Sequence, residues 1–204
     1  MTEGEWQVCD DAGAMLDALW QQHGVSPANI DLRFGGDMRG SAHSQDGLAD
    51  LDRALHRYYL ASCRGIWKLL PQEASRRGVE LAEQFLAGAV SGEELSKYNW
   101  HVEGAAFCID YNTDPEAIDR WVAEVRAIPE AELRSMLHPP EVVREIEPRA
   151  LLLRAAYFVD YAMIYPSLRP KGPPPASYRP FLSATVLRQH IGYPAHLLGG
   201  GQKG

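Results

Sequence analysis

ALLLRAAYFVDYAMIY, residues 150–165, is the most informative stretch of the chain, because only Arg154 and Asp160 carry charge within it. A helix that is apolar on nearly every face has to be covered on all sides by other elements. Pro148 interrupts the element before it, since proline removes a backbone donor and clashes with the preceding turn. We therefore predict an all-α bundle of seven or eight helices around a central hydrophobic helix at residues 150–165.

The neighbouring segments are amphipathic and carry strong start and stop signals. Ser91 and Glu94 form a capping-box pattern, and Asp114 precedes a proline at the first position of the next helix. Pro129 starts a further short helix, and Pro139-Pro140 begins the element that Pro148 interrupts. We expect the other helices at about residues 10–23, 46–70, 73–87, 91–111, from 115 onward, and 181–191.

Three segments lack helical periodicity. Residues 25–45 contain Pro27 and several glycines and are expected to form a Gly-rich loop. Residues 166–180 hold six prolines in fifteen positions, which indicates a polyproline-like strap. Residues 199–204 are expected to form a flexible tail. These segments interrupt one helical domain, residues 1–204, rather than divide it.

Composition excludes several classes of function. The chain has 204 residues, 46% of them hydrophobic, which is enough for a sizeable core. Its 27 acidic and 20 basic side chains give a net charge of −7, which disfavours nucleic-acid binding. No apolar run approaches the roughly 20 residues of a membrane span, and the first residues are acidic where a signal peptide is basic. Three cysteines without C-x-x-C spacing favour reduced thiols and a cytoplasmic location.

Several motifs cover about the first half of the chain, with weaker ones later: Met1-Thr2-Glu3-x-Glu5-Trp6, Ser62-Cys63-Arg64-x-Ile66-Trp67-x-Leu69-Leu70, Ser75-Arg76-Arg77-x-Val79-Glu80-x-Ala82-Glu83, Arg154-Ala155-Ala156-Tyr157 and Leu187-Arg188-x-x-Ile191-Gly192-x-Pro194. These motifs resemble an all-helical family of paralogues that is abundant in planctomycete genomes. The chain departs from that family in a longer 25–45 loop and in a cysteine run reduced to Cys63. The resemblance implies a helical fold, whereas the family has no established activity to carry over.

Potential metal ligands occur on the fourth predicted helix. His101, Glu103, Cys108 and Asp110 supply ligand types, but His101 and Cys108 are seven residues apart, or about 10 Å along a helix. Neither His-x-x-x-His nor Glu-x-x-His occurs in the chain, so we predict no metal and no cofactor.

Asp160 is the best candidate for a polar pocket residue. A carboxylate within an apolar helix needs a partner, and Arg57, Arg64 or Arg154 could supply it. A structural ion pair is the simpler interpretation, whereas a carboxylate in a cleft would suit acid or base catalysis. The predicted pocket consists of Asp160, Tyr157, Tyr161, Arg64 and Arg154.

Three further sets have a structural and a functional interpretation. The glycine-rich segment 33–40 is either a connector or an anion-binding loop, although it lacks the phosphate-loop signature. A basic stripe on the second predicted helix is either a solvated, paired face or an anion-binding surface: Arg53, Arg57, Arg64 and Lys68. An aromatic set is either core or a ligand cage: Trp67, Trp100, Trp121, Tyr58, Tyr157, Tyr161 and Tyr165. The first interpretation is favoured in each case.

The sequence favours a non-enzymatic protein-interaction or accessory module. The partner would be another protein, held by the Pro-rich strap or by an apolar groove. The alternative is a small helical enzyme or ligand-binding protein whose pocket is lined by Asp160 and the four residues grouped with it. No catalytic motif identifies a reaction, and neither a substrate nor an oligomeric state follows from the sequence.

Overall fold

The computed structural model describes residues 1–22, 45–144, 146–164 and 174–193, and within these ranges it contains nine α-helices and no β-strand. The helices are α1 Glu3–Val8, α2 Ala12–Gln22, α3 Gln45–Gly65, α4 Glu73–Leu86, α5 Gly92–Tyr111, α6 Pro115–Arg126, α7 Glu130–Met136, α8 Pro148–Ile164 and α9 Ala184–Ile191. The described residues also include 3₁₀ segments at Trp67–Leu69, Pro140–Arg144 and Ala176–Phe181. The prediction of an all-α fold is confirmed.

Helix α8 is the centre of the bundle. Ten of its 17 residues are buried, and it contacts α3, α4, α5, α6 and the 3₁₀ segment Ala176–Phe181. The helix starts at Pro148 itself rather than after it, because proline at a first helical position sacrifices no intrahelical hydrogen bond. Tyr165, the last residue of the predicted central helix, lies outside the described residues.

The helix starts read from capping residues are confirmed. Ser91 and Glu94 form both hydrogen bonds of a capping box at the start of α5. Asp114 accepts a hydrogen bond from the amide of Ala117, ahead of Pro115 at the first position of α6. Helix α5 ends at Tyr111 and is followed by the capping residue Asn112, whose φ of 55° is left-handed and whose short polar side chain tolerates that conformation.

The end of α3 differs from the prediction. We expected that helix to run to Leu70 and to be stopped by Pro71, whereas it ends at Gly65. Glycine has low helix propensity, and a 3₁₀ turn at Trp67–Leu69 leads from there to Pro71. The basic stripe is therefore divided, since Lys68 lies in the turn and not on the helix.

Helix α1 was not predicted. Thr2 and Glu5 form a capping box at its start, and Trp6 is its buried residue. The guanidinium of Arg188 on α9 donates hydrogen bonds to the carbonyl oxygens of Trp6 and Cys9, at 3.3 and 2.6 Å. A single arginine thus connects α1 to the last described helix.

The proline-rich segment is only partly described. Residues 166–173 lie outside the described residues, as do residues 25–44 of the Gly-rich loop and the tail 199–204. Ala176–Phe181 forms a 3₁₀ helix, so the extended strap predicted there is wrong for these residues. Tyr178 packs against Phe158 and Tyr161 of α8, with ring centres 5.6 and 5.5 Å apart. Contact with the central helix explains the more compact conformation.

Among the described helices, none combines the length and the apolar character that crossing a membrane requires.

Candidate functional site

A row of aromatic side chains runs along the outer face of α5, and its two ends are exposed. Trp100, Phe107 and Tyr111 recur with spacings of seven and four and lie on one face of the helix, with Gly104 between them. The buried seam of α5 faces the opposite way: Leu95, Val102, Ala106 and Ile109. Trp100 is 76% exposed and Tyr111 is 71% exposed, which is unusual for side chains of this size.

Ring contacts order one half of this row. Phe107 meets Tyr111 edge to face, with ring centres 5.7 Å apart, and it meets Tyr157 of α8 at 6.2 Å. The hydroxyl of Tyr157 donates a hydrogen bond to Asp110, at 2.7 Å. We call Trp100, Phe107, Tyr111 and Tyr157 the α5 aromatic face.

The hydrogen bond to Asp110 also fixes the protonation state of Tyr157. Partial burial and then the acceptor carboxylate of Asp110 raise the pKa of Tyr157 well above its ordinary value. The phenol therefore remains a neutral donor under physiological conditions, and its ring stays docked beside Phe107.

The α5 aromatic face has acidic surroundings. Helix α5 carries four acidic side chains, Glu93, Glu94, Glu103 and Asp110, against a single lysine, Lys97. Lys97 is itself paired with Glu93 at 2.7 Å. Helix α5 itself is therefore net acidic, which favours basic groups, and the Arg149 guanidinium lies at its Tyr111 end, where it donates hydrogen bonds to Ile109 and Asn112.

The candidate metal ligands on α5 do not form a metal site. The exposed ring of His101 packs against Tyr98, with ring centres 5.1 Å apart, and Asp110 accepts the hydrogen bond of Tyr157. A group of three or more metal-ligating side chains does not occur among the described residues.

The five residues of the predicted pocket have separate surroundings. Asp160 is buried in α8, at 8% exposure. Tyr157 contacts Asp110 and Phe107, whereas the ring of Tyr161 lies between Tyr59 and Tyr178. Arg154 is half-buried on α8. Four of the five residues lie on α8, where spacings of three and four residues make Arg154, Asp160 and Tyr161 neighbours of Tyr157 along the helix.

Arg64, the fifth of these residues, is bound to other partners. Its guanidinium makes two hydrogen bonds to Glu83 of α4, at 2.9 and 2.6 Å, and lies 4.1 Å from the ring centre of Trp67. Lys68 pairs with Glu132 of α7 at 2.6 Å. For these two members of the basic stripe, the interpretation as a paired face is confirmed.

The core interpretation of the aromatic set holds for some members and fails for one. Tyr58 is fully buried, and Trp67 and Trp121 are half-buried. Trp100 is wrong as a core residue, because its position on α5 lies opposite the buried seam. Tyr165 and the segment 33–40 lie outside the described residues.

His56 is a buried polar residue that the sequence reasoning did not single out. It is fully buried on α3, and its Nε2 lies 3.2 Å from the carbonyl oxygen of Met163 on α8. Nδ1 has no hydrogen-bond partner among the described residues. Burial lowers the pKa of His56 to about 4, so the ring is neutral and Nε2 carries the proton that it donates.

In comparisons with known proteins, no family model, no curated protein and no solved structure matches the chain.

Proposed function

We propose that this chain is a non-enzymatic protein-interaction or accessory module that binds another protein through the α5 aromatic face. The exposure of Trp100 and Tyr111 carries this proposal. Covering an aromatic side chain of this size stabilises an assembly by about 1.5–3 kcal/mol. Tryptophan and tyrosine are also the side chains most enriched at the energetic centres of protein interfaces.

The charge of α5 defines the chemistry of the partner. This helix carries four acidic side chains and one lysine. A second copy of the chain would bring like charges together, which is unfavourable. The partner that fits is an amphipathic segment whose apolar residues cover Trp100 and Tyr111 and whose lysines or arginines flank them.

The described part of the Pro-rich segment gives less support as the binding surface. Pro174 is buried and Tyr178 packs on the central helix, so these residues of the segment lie against the domain's own core. We therefore assign the partner to α5. A cytoplasmic location and kinship with the planctomycete family belong to the same proposal, supported by three free cysteines and by the helical fold.

A displayed library of helical peptides tests this proposal without knowledge of the natural partner. The library would be selected on the intact protein and counter-selected on a Trp100→Ala/Tyr111→Ala variant. Both side chains are exposed, so the variant should keep its thermal unfolding midpoint. We expect the selected peptides to combine apolar and basic residues and to bind the variant at least about tenfold more weakly.

Val8→Ala is the matched control. Val8 is 82% exposed on α1, so its truncation removes an exposed apolar side chain outside α5. The selected peptides should bind this variant as tightly as the unmodified protein. Acidic peptides, or peptides that bind the double variant undiminished, would refute the assignment to α5.

A further inference from the structure

An open groove lies between α3, α4 and the end of α9, and it shares no residue with the α5 aromatic face. Its volume is about 530 Å³. Four of its lining residues are apolar: Leu60, Ala61, Leu86 and Ala87. Leu60 is buried at 2% exposure and belongs to the core, so the floor of the groove is part of the packed bundle. This volume falls within the range of sites that bind small molecules.

The rim of the groove is cationic, although the chain as a whole is acidic. Arg57, Arg64 and His190 line it together with a single acid, Glu83. Glu83 is already engaged, because it forms the two hydrogen bonds to Arg64. Within the described part of the chain, no ion pair joins Arg57 to an acidic side chain. Among the residues that the structure describes, the charge of Arg57 thus has no acidic partner beside the apolar floor.

Arg57 also acts on His190. Partial burial, and then the positive charge of Arg57, lower the pKa of the His190 ring. The two groups are therefore close enough to repel each other when both are charged. An anion between them would relieve that repulsion and could accept hydrogen bonds from both side chains.

We propose that this groove binds a small carboxylate with a short apolar chain, its carboxylate at Arg57 and His190 and its chain on Leu60. Arg57 offers the guanidinium fork that fits a carboxylate, and the side chains of the floor are apolar, which suits an alkyl chain. The pocket predicted from the sequence contributes Arg64 alone to this site.

Octanoate is a suitable probe, with octanamide, octylamine and acetate as comparisons, and binding would be measured by calorimetric titration of the intact chain. We expect saturable binding of octanoate. Octanamide, which lacks the charge, should bind about tenfold more weakly, as should acetate, which lacks the chain. Octylamine should not bind, because its charge repeats that of Arg57.

Two variants with one matched control locate the site. Arg57→Gln should weaken octanoate binding about tenfold, since it removes the counter-charge. Arg53→Gln changes an exposed arginine one turn earlier on α3, outside the groove, and should leave binding unchanged. Ala61→Phe fills the groove from its wall and should abolish binding, while thermal unfolding shows that the fold is kept.

Each contrary result overturns the proposal. Absence of saturation with octanoate would exclude the site, and equal binding of octylamine would exclude recognition of the carboxylate. If the Arg53 and Arg57 variants lost octanoate affinity equally, octanoate would be attracted by the positive charge of α3 in general and not by the groove. Binding of inorganic phosphate as tight as that of octanoate would show that the apolar floor contributes nothing.

Discussion

Acid should destabilise this protein through His56. The ring is fully buried and neutral, with Nε2 donating to the carbonyl oxygen of Met163. Its pKa is about 4 in the folded protein against an ordinary value of 6.5, and that difference corresponds to about 3 kcal/mol. Below pH 6.5, His56 becomes protonated in the unfolded chain but stays neutral in the folded chain. Stability is therefore complete above pH 6.5 and falls as the pH drops towards 4.

The size of the effect at an accessible pH follows from the same two values. At about pH 5, most of the unfolded chains carry the proton on His56 and few of the folded ones do, which costs about 2 kcal/mol. The assay is urea unfolding at about pH 7.5 and pH 5, for the unmodified protein and for His56→Gln. Glutamine keeps an N–H donor for Met163 but does not titrate, so the variant should lose about 2 kcal/mol less on acidification.

Comparing the two proteins removes the contribution of all other titrating groups, because these are the same in both. His101→Gln is the control, since His101 is exposed on α5 and its replacement should retain the full acid sensitivity. Equal losses of stability in His56→Gln and in the unmodified protein would refute the reasoning. Such a result would mean that His56 does not remain neutral in the folded core.

Two further predictions concern α5. Gly78→Ala would place a methyl group 2.5 Å from Cγ2 of Val102, so we expect the free energy of urea unfolding to fall by about 1–3 kcal/mol. Gly104→Ala is the control: no atom lies within 4 Å of the added methyl group, so the free energy of unfolding should rise by up to about 1 kcal/mol. Equal effects of the two substitutions would contradict the packing of α4 against α5. Asp110→Asn should lower the pKa of Tyr157 in an ultraviolet titration, because the carboxylate opposes ionisation of the phenol, and an unchanged titration would contradict the hydrogen bond.

The parts of the fold that the sequence predicted well depend on local signals. Ser91 with Glu94, and Asp114 with Pro115, act within one turn, so the starts of α5 and α6 could be placed to the residue. The central helix was recognisable because its composition alone requires burial. Helix α1 is only six residues long, too short for a periodic pattern, although its Thr2 and Glu5 capping box was a usable signal.

The exposure of Trp100 could be predicted from the sequence, whereas the burial of His56 and the groove could not. Leu95, Val102 and Ile109 define the buried seam of α5, and helical geometry places Trp100 on the opposite face. The prediction of Trp100 as a core residue was wrong because it considered the residue type and not the position of Trp100 on the helix. The burial of His56 was beyond local reasoning, since its acceptor Met163 is 107 residues away in sequence. The groove could not be predicted from local patterns either, because its lining combines residues of α3 and α4 with His190 of α9, which is distant in sequence.

The enclosure of α8 has a consequence for how the protein opens. Its amides are screened by α3, α4, α5 and α6 at once, so no one neighbour can leave and expose the whole of it to solvent. Hydrogen exchange along α8 then requires the entire bundle to come apart, whereas α1 is a short terminal helix held by the buried ring of Trp6 and by Arg188, and it can open at lower cost. The slowest amides to exchange should thus coincide with the most apolar segment of the chain, and their exchange rate reports the global unfolding equilibrium.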